Sequence, residues 1–366
     1  MYELIATLYL GRHFVLRQGS TQGMALPADR FRQLQITADR DDRVPDWLAE
    51  EARRLWNVDL TGRAMAGTVL VRANSPYGYG RASYELNLGC NYDCEHCYLG
   101  LKRFEGLDWP DRERLLHLMR DAGVVWLQLT GGEPLIDRHF TDVYTLGYDL
   151  GMILTISTNG SRLWRDDILD LLTGRPVYKL TISVYGATAD GYDAVTRRPG
   201  SYRKFVKGLT AAVDAKLPIG LNLVVTDTNA HELPGMVAMA ESFGLAYHTY
   251  SNISPTIYGG PEVLRSQSPS YLRRRKPFTG CNAGHTFFHA DPFGKASICK
   301  VGRDPNIALL EEGADGLRRL GGIADGLLLR QDGCTGCTLQ GTCGTCMPLV
   351  QLYRKAKAPL SAYCQH

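Results

Sequence analysis

Gly89-Cys90-Asn91-Tyr92-Asp93-Cys94-Glu95-His96-Cys97-Tyr98 places three thiols within eight residues. Three such thiolates can hold three irons of a [4Fe–4S] cube. With no fourth cysteine nearby, one iron stays open for an outside ligand. A structural zinc or electron-transfer site would want a fourth local ligand. His96 offers one, which makes a zinc knuckle the competing reading.

Around this stretch, from Ala82 to about Asn252, strands and helices alternate. The apolar runs Tyr84–Leu88, Val124–Leu129, Ile153–Ser157, Leu180–Val184, Ile219–Val225 and Leu245–Tyr250 read as buried strands. Helical faces lie between them: Leu115, Leu116 and Met119; then Trp164, Ile168, Leu171 and Leu172; then Met236, Met239, Ala240 and Phe243. Six β/α units imply a parallel sheet with right-handed crossovers, as a doubly wound sheet or a partial barrel. Four motifs each follow a strand, so they gather at the sheet end where such folds bind ligands. They are the cysteine loop, Thr130-Gly131-Gly132-Glu133-Pro134, Ser157-Thr158-Asn159-Gly160 and Ser183. The paired glycines would let backbone approach a ligand, and the Glu133 carboxylate would accept from an ammonium. A lone Gly-Gly-Glu is commonly a plain turn.

In this order, behind C-x3-C-x2-C with an aromatic His96 before the last cysteine, the set resembles the radical SAM superfamily over about residues 82–252. The resemblance implies a partial (β/α)6 TIM-like barrel. It implies that Cys90, Cys94 and Cys97 hold a [4Fe–4S] cluster whose open iron chelates the amino and carboxylate groups of S-adenosylmethionine. Reduction then breaks a C–S bond and releases a 5′-deoxyadenosyl radical. Gly131, Gly132 and Glu133 map to the segment holding the cofactor's amino group, and Ser183 to its carboxylate or ribose contact. Ser157 and Asn159 close strand three beside them. Arg197, in Thr196-Arg197-Arg198-Pro199-Gly200, maps to an arginine that often joins Ser183. Asn222 on strand five reaches the ribose or is a sheet-edge polar residue.

Seven further cysteines lie in residues 253–366, where Gly and Pro rise and long strands vanish. They run Cys281-x12-Gly294-x4-Cys299, then Cys334-x2-Cys337-x5-Cys343-x2-Cys346, then Cys364. Metal is the expected organiser of so loop-rich a zone. The pattern resembles the SPASM extension of radical SAM enzymes, which carries two auxiliary [4Fe–4S] clusters. By order, Cys334, Cys337, Cys343 and Cys364 hold one, and Cys281, Cys299 and Cys346 the other. Two residues precede Cys346 where three are usual. No cysteine between Asn282 and Asp291 supplies a fourth ligand to the Cys281 set. That cluster therefore has an open iron, or His285, His289 or Asp291 completes it. The alternative is a zinc ribbon from the two Cys-x2-Cys pairs, which would strand Cys281, Cys299 and Cys364.

Length and composition fit this reading. The chain of 366 residues, 44% hydrophobic and 22% charged, is expected to be a soluble protein of one large and one or two smaller domains. A net charge of +3 is too small to argue for nucleic acid or a membrane surface as main partner. Arg273-Arg274-Arg275-Lys276 reads as a solvated linker or a landing site for acidic substrate. No apolar stretch approaches a membrane span, the N-terminus lacks the features of a signal peptide, and ten cysteines read as ligands in a cytoplasmic protein. The expected units are residues 1–80, 81–252 (the barrel) and 253–366 (the SPASM zone). In the first, strand-like runs Glu3–Leu10 and His13–Arg17 precede amphipathic segments Ala28–Leu34 and Pro45–Trp56 and the apolar run Thr68–Arg72. This order suits a small winged-helix module for a leader peptide, or a packing extension of the barrel.

The resemblance implies hydrogen abstraction from an unactivated C–H bond, and the SPASM branch acts mostly on peptides. Sulfatase-maturing relatives carry Asp after the cysteine matching Cys299, where this chain has Lys300. That counts against formylglycine formation. Epimerases need a free thiol, and all ten cysteines are assigned to clusters. The expected activity is therefore an oxidative crosslink in a precursor peptide, with an electron returned to an auxiliary cluster. A flavodoxin- or ferredoxin-type donor is implied by the family's need for a low-potential electron. Alternatives are a small-molecule substrate such as a sugar or amino acid, and a non-catalytic iron–sulfur electron carrier.

Overall fold

The computed structural model describes residues 1–272, 278–338 and 343–364, so the basic run Arg273–Lys276 lies outside the described residues. The chain opens with β1 (Leu4–Tyr9), β2 (Arg12–Leu16), β3 (Gly23–Leu26), α1 (Ala28–Asp39), α2 (Asp46–Trp56) and β4 (Val69–Val71). These form a four-stranded sheet in the order β3-β2-β1-β4. The hairpins are antiparallel, whereas β4 pairs parallel with β1. The run at Thr68–Arg72 thus closes this sheet. Leu4, Ala6 and Val15 meet Phe31, Leu34, Leu48 and Ala52 in a separate apolar core.

The barrel follows as β5 (Arg81–Glu85), α3 (Trp109–Asp121), β6 (Trp126–Thr130), α4 (Phe140–Asp149), β7 (Ile153–Thr158), α5 (Asp166–Gly174), β8 (Lys179–Val184), α6 (Ala189–Thr196), α7 (Ser201–Asp214), β9 (Ile219–Val224), α8 (Leu233–Ser242) and β10 (Ala246–Tyr250). Strands β5 to β10 pair in sequence, each parallel to the next. This is the partial-barrel topology implied by the resemblance, one of the two that the alternation allowed. Helix α3 shows how the pattern works. Pro110 and Asp111 suit its first turn, and Leu115, Leu116 and Met119 bury one face.

Beyond β10 come β11 (Phe287–Ala290), β12 (Lys295–Ser297), β13 (Ile307–Ala308), α9 (Leu309–Glu312), α10 (Leu320–Leu328) and α11 (Met347–Lys355). Strand β11 pairs parallel with β5, and β12 and β13 continue the sheet antiparallel. The described sheet therefore runs β10-β9-β8-β7-β6-β5-β11-β12-β13. These strands are too short to stand out as apolar runs, yet they lay the region of Cys281 and Cys299 against the first barrel strand.

The N-terminal sheet is fastened to the barrel through backbone carbonyls. Buried Gln18 donates Nε2 to the oxygens of Tyr148 (2.7 Å) and Met152 (2.8 Å). Buried Arg72 donates to those of Val124 (2.8 Å) and Arg120 (3.0 Å).

Candidate active site

The loop after β5 carries Cys90, Cys94 and Cys97 with little regular structure of its own. Backbone hydrogen bonds fix it to its neighbours: Asp93 N to Thr196 O (2.9 Å) and Glu95 N to Val195 O (3.1 Å), at the end of α6. The Gly-Gly-Glu segment grips it from the other side, with Gly132 N to Asn87 O and Glu133 N to Gly89 O, both 2.9 Å. A Cβ on Gly132 would collide with the Gly89 carbonyl, and Gly131 has φ +144°. These glycines let two backbones pack directly, so their role is wider than approach to a ligand.

A cavity of about 280 Å³ opens at this end of the barrel. Cys90, Cys94, Cys97, Gly131, Gly132, Ser157, Asn159, Ser183 and Asn222 all line it. Asn159 Nδ2 donates to Asn91 Oδ1 (2.9 Å) and lies 3.8 Å from Cys90 Sγ, while Ser157 Oγ accepts from Gln128 Nε2 (2.8 Å).

Two expected cofactor contacts are placed differently. Glu133 is fully buried and does not line the cavity. Its carboxylate accepts from Leu135 N (3.0 Å), Thr158 Oγ1 (2.6 Å) and Asn159 N (2.7 Å), tying the end of β6 to the end of β7. Burial pushes its pKa up to about 7 despite those donors. In this structure the carboxylate positions the loops. Arg197 is exposed, ends α6 in a left-handed conformation (φ 53°) and stands outside the cavity lining, beside Asp93. The turn that follows is held by Asp193, which accepts from Ser201 Oγ and Tyr202 N.

Sequence reasoning missed several lining residues: Tyr98, Lys102, Tyr185, Tyr250 and Ser254. No motif marks them, and only the strand-end positions of Tyr185 and Tyr250 hint at their place. His96 lines the cavity 5.3 Å from the Tyr185 ring, and burial pulls its imidazole down to about 4. Lys300, singled out above for another reason, also lines it and donates to Thr130 Oγ1 at 3.2 Å.

The three thiols suit a cluster chemically. Burial pushes Cys90 up to about 12, with Glu133 adding to it, and raises Cys94 and Cys97 as well. Thiols so placed become thiolates only opposite a positive centre, which bound iron supplies. Among the described residues no three His, Cys, Asp or Glu side chains converge tightly enough for a single ion. A cubane binds each thiolate through a different iron and so takes a more open set.

The later cysteines fall into two groups. Cys334, Cys337, Cys343 and Cys364 line a second cavity of about 280 Å³ with Val350, Arg354 and Tyr363. Cys299 and Cys346 are raised mainly by burial, and the Cys281, Cys299 and Cys346 thiols lie near enough to act on one another electrostatically. The three candidates for a fourth ligand to this set have other partners. His285 bonds Asp325 (2.9 Å), Asp291 accepts from Phe293 N and Lys295 N (both 2.9 Å), and buried His289 bonds Ser83 Oγ (2.8 Å).

His289 also belongs to a buried joint around Glu85, at the end of β5. The Glu85 carboxylate accepts both oxygens' worth of Arg303 Nη2 at 2.9 Å and the Tyr98 hydroxyl at 3.1 Å, and His289 Nε2 lies 3.4 Å away. Burial opposes its ionisation, and His289 and Arg303 together hold it well below the usual carboxylate range. Barrel strand, cysteine loop and C-terminal zone thus meet at one charge.

Residues 84–240 match the Radical SAM superfamily. The AdoMet-dependent heme synthase of Methanosarcina barkeri is 28% identical over 173 residues, 46% of this chain and 49% of that protein. The antilisterial bacteriocin subtilosin biosynthesis protein AlbA of Bacillus subtilis is 20% identical over 284 residues, 70% of this chain and 63% of its own length. Against these two relatives the chain spans about half to just under two thirds of their length. In fold, the chain is similar to Streptococcus suis SuiB bound to precursor peptide SuiA. The match covers 100% of this chain and 99% of that one, with a TM-score of 0.64 at 13% identity. Among the described residues no helix is long and apolar enough to cross a membrane. The family matched at residues 84–240, the Radical SAM superfamily, implies a [4Fe–4S] cluster and S-adenosylmethionine.

Proposed function

We propose that this protein is a radical SAM peptide maturase that installs an oxidative crosslink (C–C, C–O or thioether) in a ribosomally made precursor peptide. The observation that carries the reading is one cavity that gathers the Cys90, Cys94 and Cys97 thiols with Gly131, Ser157, Asn159, Ser183 and Asn222. When bound, the reduced cluster and S-adenosylmethionine supply a 5′-deoxyadenosyl radical. The chain's part is to hold three thiolates, to orient the cofactor with backbone at Gly131 and Gly132 and side chains at Ser183 and Asn222, and to shield the reaction from water. The likeness in fold to a protein solved with its precursor peptide supports a peptide substrate. So does the match to a bacteriocin biosynthesis protein that extends past the barrel. Anaerobic turnover should yield a product peptide lighter by two hydrogen atoms. An unchanged mass with inverted stereochemistry would sink the crosslink.

Two auxiliary [4Fe–4S] clusters belong to this proposal, one on Cys334, Cys337, Cys343 and Cys364, the other on Cys281, Cys299 and Cys346. Iron per chain should be about twelve and fall to about eight in C90A/C94A/C97A. About four irons with one zinc would make the C-terminal zone a zinc site instead. A flavodoxin- or ferredoxin-type protein would supply the electron.

Residues 1–80 would dock the leader peptide. Strand β3 is at the described edge of its sheet and half exposed, so an extended peptide can add to it through main-chain hydrogen bonds. Proline at Met24 and, separately, at Ala25 would remove one amide each, and one of the two faces outward. One variant should lose leader binding and keep cofactor cleavage; unchanged leader affinity in both would refute docking there. A small-molecule substrate is the second reading, favoured by the match to a heme synthase. Failure of any peptide to stimulate 5′-deoxyadenosine release would turn the argument that way.

A further inference from the structure

The active-site cavity holds one cation that no described carboxylate bonds. None of its lining residues is Asp or Glu. Of the cations around it, Lys102 Nζ lies 2.8 Å from Asp93 Oδ1, and Arg303 is bound to Glu85. Lys300 differs. Its Nζ donates to the neutral Thr130 hydroxyl, and no ion pair joins it to a carboxylate among the described residues. Glu85, the carboxylate of the neighbouring joint, acts on Lys300 only through space, because its oxygens are bonded to Arg303 and Tyr98. A half-buried ammonium with no carboxylate bonded to it is costly to keep, so an anion arriving from outside would be stabilised there. Its position suits that role: Thr130 ends β6 directly before Gly131 and Gly132, and Lys300 directly follows Cys299. Lys300 therefore stands where the barrel's ligand loops meet the C-terminal zone.

Building on the peptide-modifying reading, we infer that Lys300 holds a carboxylate inside the cavity. The carboxylate is that of an Asp or Glu side chain at or beside the modified residue of the peptide, or the methionine carboxylate of S-adenosylmethionine. The first source makes Lys300 a determinant of substrate choice, which the sequence around a target residue would have to match. A charge-assisted hydrogen bond in such a site is worth about tenfold to a hundredfold in affinity.

The test uses the full chain reconstituted with iron and sulfide, as wild type, K300M, K300R and K300E, each checked for equal iron content and circular dichroism. One arm offers a library of short peptides, acetylated and amidated so that no terminal carboxylate is present, and identifies those retained by mass spectrometry. The other measures affinity for S-adenosylmethionine and for its decarboxylated analogue by equilibrium dialysis. A peptide source predicts that wild type and K300R retain Asp and Glu peptides at least about tenfold over their Asn and Gln counterparts. K300M should erase that preference, K300E should turn it toward Lys and Arg, and cofactor affinity should stay put. A cofactor source predicts the reverse: the gap between cofactor and analogue closes in K300M, and the peptide profile does not move. If K300M alters neither, the inference is overturned, and a change in cluster midpoint potential alone would assign Lys300 to charge compensation. If wild type retains no peptide at all, the peptide reading fails on its own, while the cofactor arm still decides whether Lys300 holds a carboxylate.

Discussion

The cysteines of the barrel and those of the C-terminal zone are positioned by different forces. Cys90, Cys94 and Cys97 sit in one loop over the large apolar core, pinned by backbone hydrogen bonds to α6 and to the Gly-Gly-Glu segment. Cys334 and Cys364 instead border a small cluster built on Met347, Val350, Tyr353 and Tyr363, and share a cavity with Cys337 and Cys343. The apolar cluster is tied to the segment just after β10 by the Tyr353 hydroxyl on Ile253 O at 2.6 Å. A core so small cannot offset the chain entropy of that many loop residues, and the proposed clusters would supply the difference. The lesson is that similar ligands can be cargo of a fold in one place and its framework in another. The largest expected effects follow. Alanine at Cys90, Cys94 and Cys97 should abolish 5′-deoxyadenosine formation and leave limited proteolysis unchanged. Alanine at Cys334, Cys337, Cys343 and Cys364 should open the zone after residue 320 to protease while the barrel stays intact. Equal protection in the two variants would break the contrast.

Where the two regions meet, one carboxylate carries the load. Glu85 is buried and its main cation, Arg303, comes from the C-terminal zone. R303M would leave that charge unpaired at a cost of about 3–5 kcal/mol, and adding E85Q should recover much of the loss. Chemical denaturation of the four proteins of this double-mutant cycle measures the coupling. A coupling near zero would mean that the regions are joined by packing alone.

How far the sequence reveals the molecule divides along the same line. Barrel strands are legible because each is a run of apolar, often β-branched residues bounded by turn signals, as Ile153–Thr158 is. Cysteine spacing, Gly131-Gly132 and Ser183 are legible because their chemistry leaves few residue choices. Strands β11 to β13 are not: two to four residues long, they owe their existence to pairing with β5, a non-local fact. Arg303 and His289 converge on Glu85 across more than two hundred residues of chain. Nothing local marks Tyr98 or Lys102 as cavity residues either, since ordinary turn and surface roles use the same types.

Glu133 sharpens the picture inside the barrel. Its pKa is pushed up to about 7 from an ordinary 4.5, chiefly by burial. Folding therefore favours the protonated acid. That contribution is fully present below pH 4.5 and is lost as pH rises through about 7. The full loss is up to about 3 kcal/mol. Metal-free wild type should accordingly lose stability toward urea between pH 5 and pH 7.5 more steeply than E133Q, which cannot ionise. E133Q should also start lower, because an amide cannot accept from Leu135 N, Thr158 Oγ1 and Asn159 N together. Parallel pH profiles would mean that the buried carboxylate is not what titrates.

The smallest effect is expected at Arg197, and it separates motif from geometry. Its position after Ser183 resembles that of an arginine that joins the cofactor, yet the side chain is exposed and outside the cavity. Its closest electrostatic role is to help Lys102 and Arg198 keep Asp93 ionised. Lys102, at 2.8 Å, does most of that work. R197A should therefore change stability by no more than about 0.5 kcal/mol. R197G would relieve the left-handed φ of 53° and should be neutral or slightly stabilising. Affinity for S-adenosylmethionine, measured by equilibrium dialysis, should be unchanged in both. A loss of about tenfold or more in R197A would mean that the end of α6 moves to bring this guanidinium over the cavity when cofactor binds. The cysteine loop, hydrogen-bonded to Val195 and Thr196, would then have to move with it.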